Sequence, residues 1–364
     1  MINRLLVYLG RHIDSFLLAS LSALLVVGLI TLYSASGESF MRVGSQILNI
    51  LVALFVMWIA ANIPPHYIQR LALPVYVLGL VLLVGVALFG EITNGARRWL
   101  DLGVTRIQPS ELMKIGVPMA LAWYFDRYEA ILKLRDFAIA ALMMLVPVLL
   151  VAKQPDLGTA LLITAAGVFV IFLAGLSWRV LIGLTVVMLG CLPILWSMMH
   201  DYQRQRVLTL LDPNQDPLGA GYHTIQAAIA LGSGGFFGKG WLNGTQAHLD
   251  FLPERSTDFV FAVFSEEFGL FGNLILATLF LLVIGRGLFI TLHAATLFTR
   301  LIAGAISLTF FTYVAVNMGM VSGILPVVGV PLPLISYGGT SLVSVFFGMG
   351  ILMSIQTHKR LVKS

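Results

Sequence analysis

The chain has 364 residues, 59% hydrophobic and 11% charged, with 22 Lys/Arg against 17 Asp/Glu and a formal net charge of +5. Globular domains carry about 25% charged residues, so this composition, with a mean hydropathy of +0.94, excludes a soluble globule, a disordered chain, a collagen and a coiled coil. The single cysteine, Cys191, excludes a disulfide scaffold or a cysteine-based metal site, and most Lys/Arg flank apolar stretches as membrane anchors do rather than forming a nucleic-acid surface.

A membrane-crossing helix needs about 20 mostly apolar residues. In chain order, candidates fall at roughly 15–34, 43–62, 73–90, 113–124, 137–152, 157–175, 180–199, 259–285, 302–323 and 338–356, the fourth and fifth being short. The expected fold is all-α: a polytopic membrane protein of about ten transmembrane helices, forming a single integral-membrane domain over residues 1–364. With ten spans both termini share a side. The tails and loops there hold Arg4, Arg11, Arg70, Arg127, Lys133, Arg135, Arg179, Arg286, Arg300, Lys359, Arg360 and Lys363, more densely than the other side holds its cations. The rule that positive loops stay inside then places both termini in the cytoplasm. A long extracytoplasmic loop, 200–258, separates spans seven and eight. Its length marks it as functional or disordered, and its aromatic residues and glycines suggest a folded cap.

About half of the charge falls in three outer segments, 91–114, 153–156 and 200–258. Gln108-Pro109-Ser110-Glu111-Leu112-Met113-Lys114 opens the fourth span, because proline suits a first helical turn. Glu111 and Lys114 are three apart and share a face, at a boundary where ionisable groups are costly and often functional. They form either a structural ion pair or part of a cavity. Asp156, before the sixth span, is either a helix cap or a site residue. Asp258, at the start of the eighth span, faces the same choice, and the helix dipole there favours the ionised carboxylate that a general base requires. Glu266 and Glu267 lie about 12 Å deeper along that helix, either lining a polar cavity or paired for structural reasons.

Gly232-Ser233-Gly234-Gly235-Phe236-Phe237-Gly238-Lys239-Gly240 imitates a phosphate loop without its spacing, so it is an anion cradle or a turn. Pro326 to Thr340, with three prolines and three glycines, breaks the helix between spans nine and ten as a re-entrant turn or a cavity wall. The seven histidines show no metal-ligand spacing. Five outer cations, Arg97, Arg98, Arg204, Arg206 and Lys239, lie near glycines, tryptophans or each other. Arginines combined with backbone amides hold phosphate oxygens, which suits a lipid with an anionic head group.

Five motifs occur in order: Gly95-Ala96-Arg97-Arg98-Trp99; Gln108-Pro109-Ser110-Glu111-x-x-Lys114; Pro155-Asp156-x-Gly158-Thr159-Ala160; Leu252-Pro253-Glu254-x-x-Thr257-Asp258-Phe259; and Leu334-Ile335-Ser336-Tyr337-Gly338-Gly339. Together they resemble the SEDS family (shape, elongation, division and sporulation proteins) of bacteria, over nearly the whole chain. Gln154 before Pro155, the run Pro326 to Pro331 and the short N-terminal tail look more like the elongation branch than the division branch. Ser256 departs from the histidine frequent at that position. The resemblance implies a peptidoglycan glycosyltransferase that polymerises lipid II during cell elongation, in the bacterial cytoplasmic (inner) membrane with its active site facing outward. It implies undecaprenyl diphosphate as the leaving group, a class B penicillin-binding protein and other elongation-complex membrane proteins as partners, and Asp258 as the catalytic carboxylate.

The residue chemistry agrees with that implication. An α-linked diphosphate becomes a β-linked glycan by one inverting displacement, with Asp258 taking the acceptor's proton and Glu111 and Lys114 supporting the catalytic cavity. Expected substrate contacts are Arg97, Arg98, Trp99, Asp156, Arg204, Arg206, Lys239, Ser336 and Tyr337. The diphosphate is neutralised either by Arg98, Arg204, Arg206, Lys114 or Lys239 or by a divalent cation (Mg or Mn) with Glu111, Asp156 or Asp258 as oxygen ligands. No organic cofactor and no nucleic-acid partner is expected. The alternatives are a lipid II flippase, which predicts ionisable groups deep in several spans and often repeated halves, and a non-catalytic scaffold for a penicillin-binding protein.

Overall fold

The computed structural model describes residues 12–93, 96–101, 106–128, 132–191, 193, 196–197, 204, 208–209, 221–245 and 254–358. The helices described are α1 (Ser15–Ala35), α2 (Phe40–Asn62), α3 (Pro65–Phe89), α4 (Pro109–Arg127), α5 (Leu134–Lys153), α6 (Leu157–Leu173), α7 (Trp178–Gly190), α8 (Tyr222–Ser233), α9 (Val260–Leu292), α10 (Leu297–Val321) and α11 (Thr340–Thr357). A described helix overlaps each of the ten predicted spans, but seven of them (α1, α2, α3, α5, α9, α10 and α11) are long and apolar enough to cross a membrane. Among the other three, α4 carries Glu111, Lys114, Asp126 and Arg127, α6 has 17 residues, and α7 has 13.

The all-α expectation needs one correction. Three short strands, β1 (Glu91–Thr93), β2 (Ala96–Asp101) and β3 (Arg106–Ile107), form an antiparallel sheet in the order β1-β2-β3 between α3 and α4. Ile92 pairs with Arg97, and Leu100 with Ile107. This polar stretch lacks helical periodicity, and Trp99, Leu100 and Ile107 are residues that a half-buried pleat accepts. Of the predicted cap 200–258, residues 204, 208–209, 221–245 and 254–258 are described. Its described middle is a helix, α8, followed by tight turns through Thr245.

Helices α4, α6, α9 and α10 are central. α4 packs on α3, α6 and α10, and α9 packs on α1, α8 and α10, while α11 lies along α2. Phe125, Phe280, Phe298 and Phe346 fill the interior. Local signals set the helix starts. Asp14 caps α1 by accepting from Leu17 N (2.8 Å), and Pro109 opens α4. Arg286, on α9, donates to Asp14 (Nε–Oδ1 3.2 Å), tying the start of α1 to a distant helix.

α9 is not one regular helix. Gly269 (φ 65°, ψ −163°) breaks it, leaving carbonyls at Glu266 and Glu267 without their usual donors. The glycine-rich turn supplies them: Lys239 N and Gly240 N donate to Glu266 O and Glu267 O (3.0 Å each), and Leu270 N and Phe271 N donate back to Gly235 O and Phe236 O. The crossing requires glycine, since a Cβ on Gly238 would lie 2.1 Å from Glu267 O and one on Gly269 2.3 Å from Gly238 N. Lys239 N and Gly240 N are therefore committed to protein carbonyls, and the anion-cradle alternative for this turn fails.

Candidate active site

Four helices, α4, α6, α9 and α11, begin around one cavity of about 240 Å3. Glu111 and Lys114 reach it from the first turn of α4, Asp156 from the cap of α6, Asp258 from the turn before α9, and Tyr337 from the segment before α11. Arg98 completes the wall from β2. Helix N-termini present free amides and positive partial charge, so the backbone contributes to the same electropositive side as the two cations.

Arg97, Arg98 and Trp99 are all expected substrate contacts, but of the three Arg98 lines the cavity and Arg97 and Trp99 do not. The ladder is irregular at this point: Glu91 pairs with Trp99 and Ile92 with Arg97, which leaves Arg98 as an extra residue on β2. Arg98 donates through Nε to Gln154 O (3.4 Å) and also to Pro155 O, with its Nε 4.0 Å from Asp156 Oδ2.

Asp156 is both a cap and a cavity residue. Its Oδ1 accepts from Thr159 N (3.2 Å) and its Oδ2 from Gln108 Nε2 (3.1 Å). Lys114 is only 7% exposed. Its Nζ donates to Glu111 Oε1 (2.6 Å) and lies 5.2 Å from the Tyr313 ring centroid, while Ser344 Oγ donates to Glu111 Oε2 (2.7 Å). Glu111 thus orients Lys114 and is itself held from α11.

The turn bearing Asp258 is fastened to the segment before α11. Ser336 Oγ donates to Thr257 O (2.6 Å) and accepts from Leu332 N (2.8 Å), and Tyr337 N donates to Ser256 O (2.8 Å). Ser336 therefore acts as a latch between backbones, where a substrate contact was expected, whereas Tyr337 does line the cavity. The segment 326–338 is a cavity wall: a Cβ on Gly329 would lie 3.4 Å from Asp258 Oδ2, and one on Gly158 only 2.7 Å from Val328 O.

The remaining expected clamp residues lie elsewhere. Lys239 Nζ pairs with Glu266 Oε1 (2.6 Å) and bonds Thr245 Oγ1 (2.9 Å). Arg204 donates to Trp196 O and Ser197 O (3.0 and 2.8 Å). Arg206 lies outside the described residues. Glu111, Asp156 and Asp258 face the cavity together, yet among the described residues no three His, Cys, Asp or Glu form a group able to hold a metal ion. Glu111 and Asp156 also accept protein hydrogen bonds on both oxygens. Two residues that sequence reasoning passed over belong to the site's support: Ser344, which holds Glu111, and Asn317, a lone amide in an apolar helix.

Seven helices long and apolar enough to cross a membrane, with a charged cavity among helix N-termini, define a multi-pass membrane protein. Residues 14–361 match the sequence model of the cell cycle protein family of FtsW, RodA and SpoVE, and the chain belongs to that family, the SEDS proteins. It is 53% identical over 353 residues to the peptidoglycan glycosyltransferase MrdB of Escherichia coli K12, covering 96% of this chain and 95% of that one. It is 31% identical to the peptidoglycan glycosyltransferase RodA of Treponema pallidum, covering 95% and 98%. Among solved structures it is similar to a chain from "Structural coordination of polymerization and crosslinking by a peptidoglycan synthase complex" (TM-score 0.84, 32% identity, 95% and 98% covered). It also resembles the crystal structure of RodA from Thermus thermophilus (TM-score 0.71, 30% identity, 94% and 96% covered).

Proposed function

We propose that this chain is a peptidoglycan glycosyltransferase that polymerises lipid II at the outer face of the bacterial cytoplasmic membrane, with Asp258 as general base. The enzyme class rests on the 53% identity to a peptidoglycan glycosyltransferase over nearly full length. The observation that carries the mechanism is the cavity that gathers Asp258, Arg98 and Lys114 at the N-termini of four helices. An anionic leaving group is stabilised at such a place by helix dipoles and cations together.

Asp258 accepts the proton of the acceptor sugar hydroxyl as that oxygen attacks the anomeric carbon. The bond from that carbon to the diphosphate oxygen breaks, inverting α to β, and undecaprenyl diphosphate departs with its charge met by Arg98 and Lys114. The clamp contracts to those two cations, because Arg98 and Lys114 line the cavity and Lys239 and Arg204 do not. We assign ten spans from the apolar runs, with both termini inside and the cavity outward, a reading supported by the denser Lys/Arg on the side of the termini. A class B penicillin-binding protein is the partner we assign, supported by the described coupling of polymerisation and crosslinking in the similar complex. The apolar faces of α9 and α10, with Phe271, Leu281 and Phe311 exposed, are available to its membrane helix.

The deciding experiment incubates the full-length protein and its partner with labelled lipid II. Glycan strands are expected from the wild type. Normal polymerisation by Asp258→Asn overturns the base. Transbilayer movement of lipid II in vesicles with no polymer formed replaces the enzyme with a transporter.

A further inference from the structure

The carboxylate that serves as base stands on a turn, not on a helix. Thr257 N and Phe259 N both donate to Glu254 O (3.1 and 3.3 Å), and Ala262 N, which a regular helix would aim at Asp258 O, donates to Phe259 O instead (3.0 Å). The Asp258 carbonyl therefore lies outside the helical ladder. Its donor comes from α10: Asn317 Nδ2 bonds Asp258 O (2.9 Å) and also Val330 O (2.8 Å). Both neighbours are acceptors, so the amide orientation is fixed by chemistry, because only the NH2 group can serve two carbonyls.

Asn317 is 0% exposed in a helix otherwise built of apolar and small residues around it. Polar groups at such depth are costly and are retained where they have partners or function. Both hydrogens go to irregular backbone on the cavity wall, one on the turn carrying Asp258 and one beside Gly329, whose Cβ position lies 3.4 Å from Asp258 Oδ2. One amide thus sets the height of the base relative to the wall it faces.

We infer that Asn317 is a positioning residue for the transfer reaction: it holds the Asp258 backbone at a fixed distance from the Gly329–Val330 wall and so places the carboxylate against the acceptor hydroxyl. This inference rests on Asp258 being the base. Misplacement by about 1 Å costs about 10²-fold in rate where reacting groups must align, so the expected loss falls on kcat.

The test measures polymerisation of labelled lipid II by the full-length protein with its partner, for the wild type, Asn317→Ala, Asn317→Ser and Asp258→Ala. Asn317→Ala is expected to lower kcat per folded molecule about 10²-fold, with KM for lipid II close to wild type and a lower melting temperature, because two carbonyls lose their donor. Asn317→Ser, whose hydroxyl can serve one carbonyl, is expected to recover part of the loss. Wild-type kcat in Asn317→Ala overturns the inference. So does a lowered melting temperature with unchanged kcat per folded molecule, or a change confined to KM. If Asn317→Ala does not fold, Asn317→Ser decides by the same split between kcat and KM. A wild-type rate in Asp258→Ala defeats the base assignment itself, an outcome distinct from an inactive Asp258→Ala beside a fully active Asn317→Ala.

Discussion

Among the described residues, two lysine–glutamate pairs have the same length, Lys114–Glu111 and Lys239–Glu266, each with N···O at 2.6 Å. The first lines the cavity, and the glutamate's other oxygen is held by Ser344. In the second the carboxylate is sealed: Glu266 is 0% exposed and one of its oxygens accepts from Lys239 Nζ, Thr245 N and Thr245 Oγ1 (2.6, 2.9 and 2.8 Å), while the Lys239 side chain is 29% exposed against 6% for Lys114. The comparison teaches that charge in these segments serves two ends. One pair lines the cavity, while the other fastens a glycine-rich turn to a broken helix. Proximity in sequence to glycines and aromatics does not tell them apart.

The contrast can be broken in several ways. Asp258→Ala should lose about 10²–10⁴-fold in rate with an unchanged melting curve, and a stable but fully active variant removes the cavity's claim to be the catalytic centre. Lys239→Met should act in the opposite manner. It leaves Glu266 buried without its cation, which costs about 3–5 kcal/mol of stability, read as a lower melting temperature with normal activity per folded molecule. Loss of lipid II affinity in a Lys239→Met protein that melts normally places Lys239 back in the clamp. Arg98→Ala should weaken lipid II binding about tenfold, as befits a charge-assisted contact, visible in KM more than in kcat. Arg204→Ala, whose partners are carbonyls of its own segment, should change affinity by less than about twofold, the ordinary range for a surface substitution.

Local features were legible in the amino-acid sequence. Pro109 starting α4, Glu111 and Lys114 on one face, and Asp156 capping α6 all depend on residues within four positions. What required the fold is long-range. Lys239 finds Glu266 across 27 positions, and Ser344 reaches Glu111 across 233. The break in α9 was foreshadowed only by Gly269 and Gly272 in an otherwise apolar run, and hydropathy does not register it. The split of Arg97 from Arg98 followed from a strand in a segment expected to lack one. Asn317 carried a signal, an amide amid apolar neighbours, whose partners no periodicity could name.

The walls of the cavity differ in how they would yield. Asp258 stands on a turn tied by Asn317 to a long packed helix, whereas Arg98 arrives on a sheet whose three strands have three, six and two residues. Sheets that small hold little stability of their own, and such elements open locally at a fraction of the global free energy. Amide hydrogens of β2 should therefore exchange with solvent well before those around Asp258 and Asn317. A polymerase must discharge its leaving group after every transfer without losing the alignment of its catalytic groups, and a fixed side opposite a yielding one allows both.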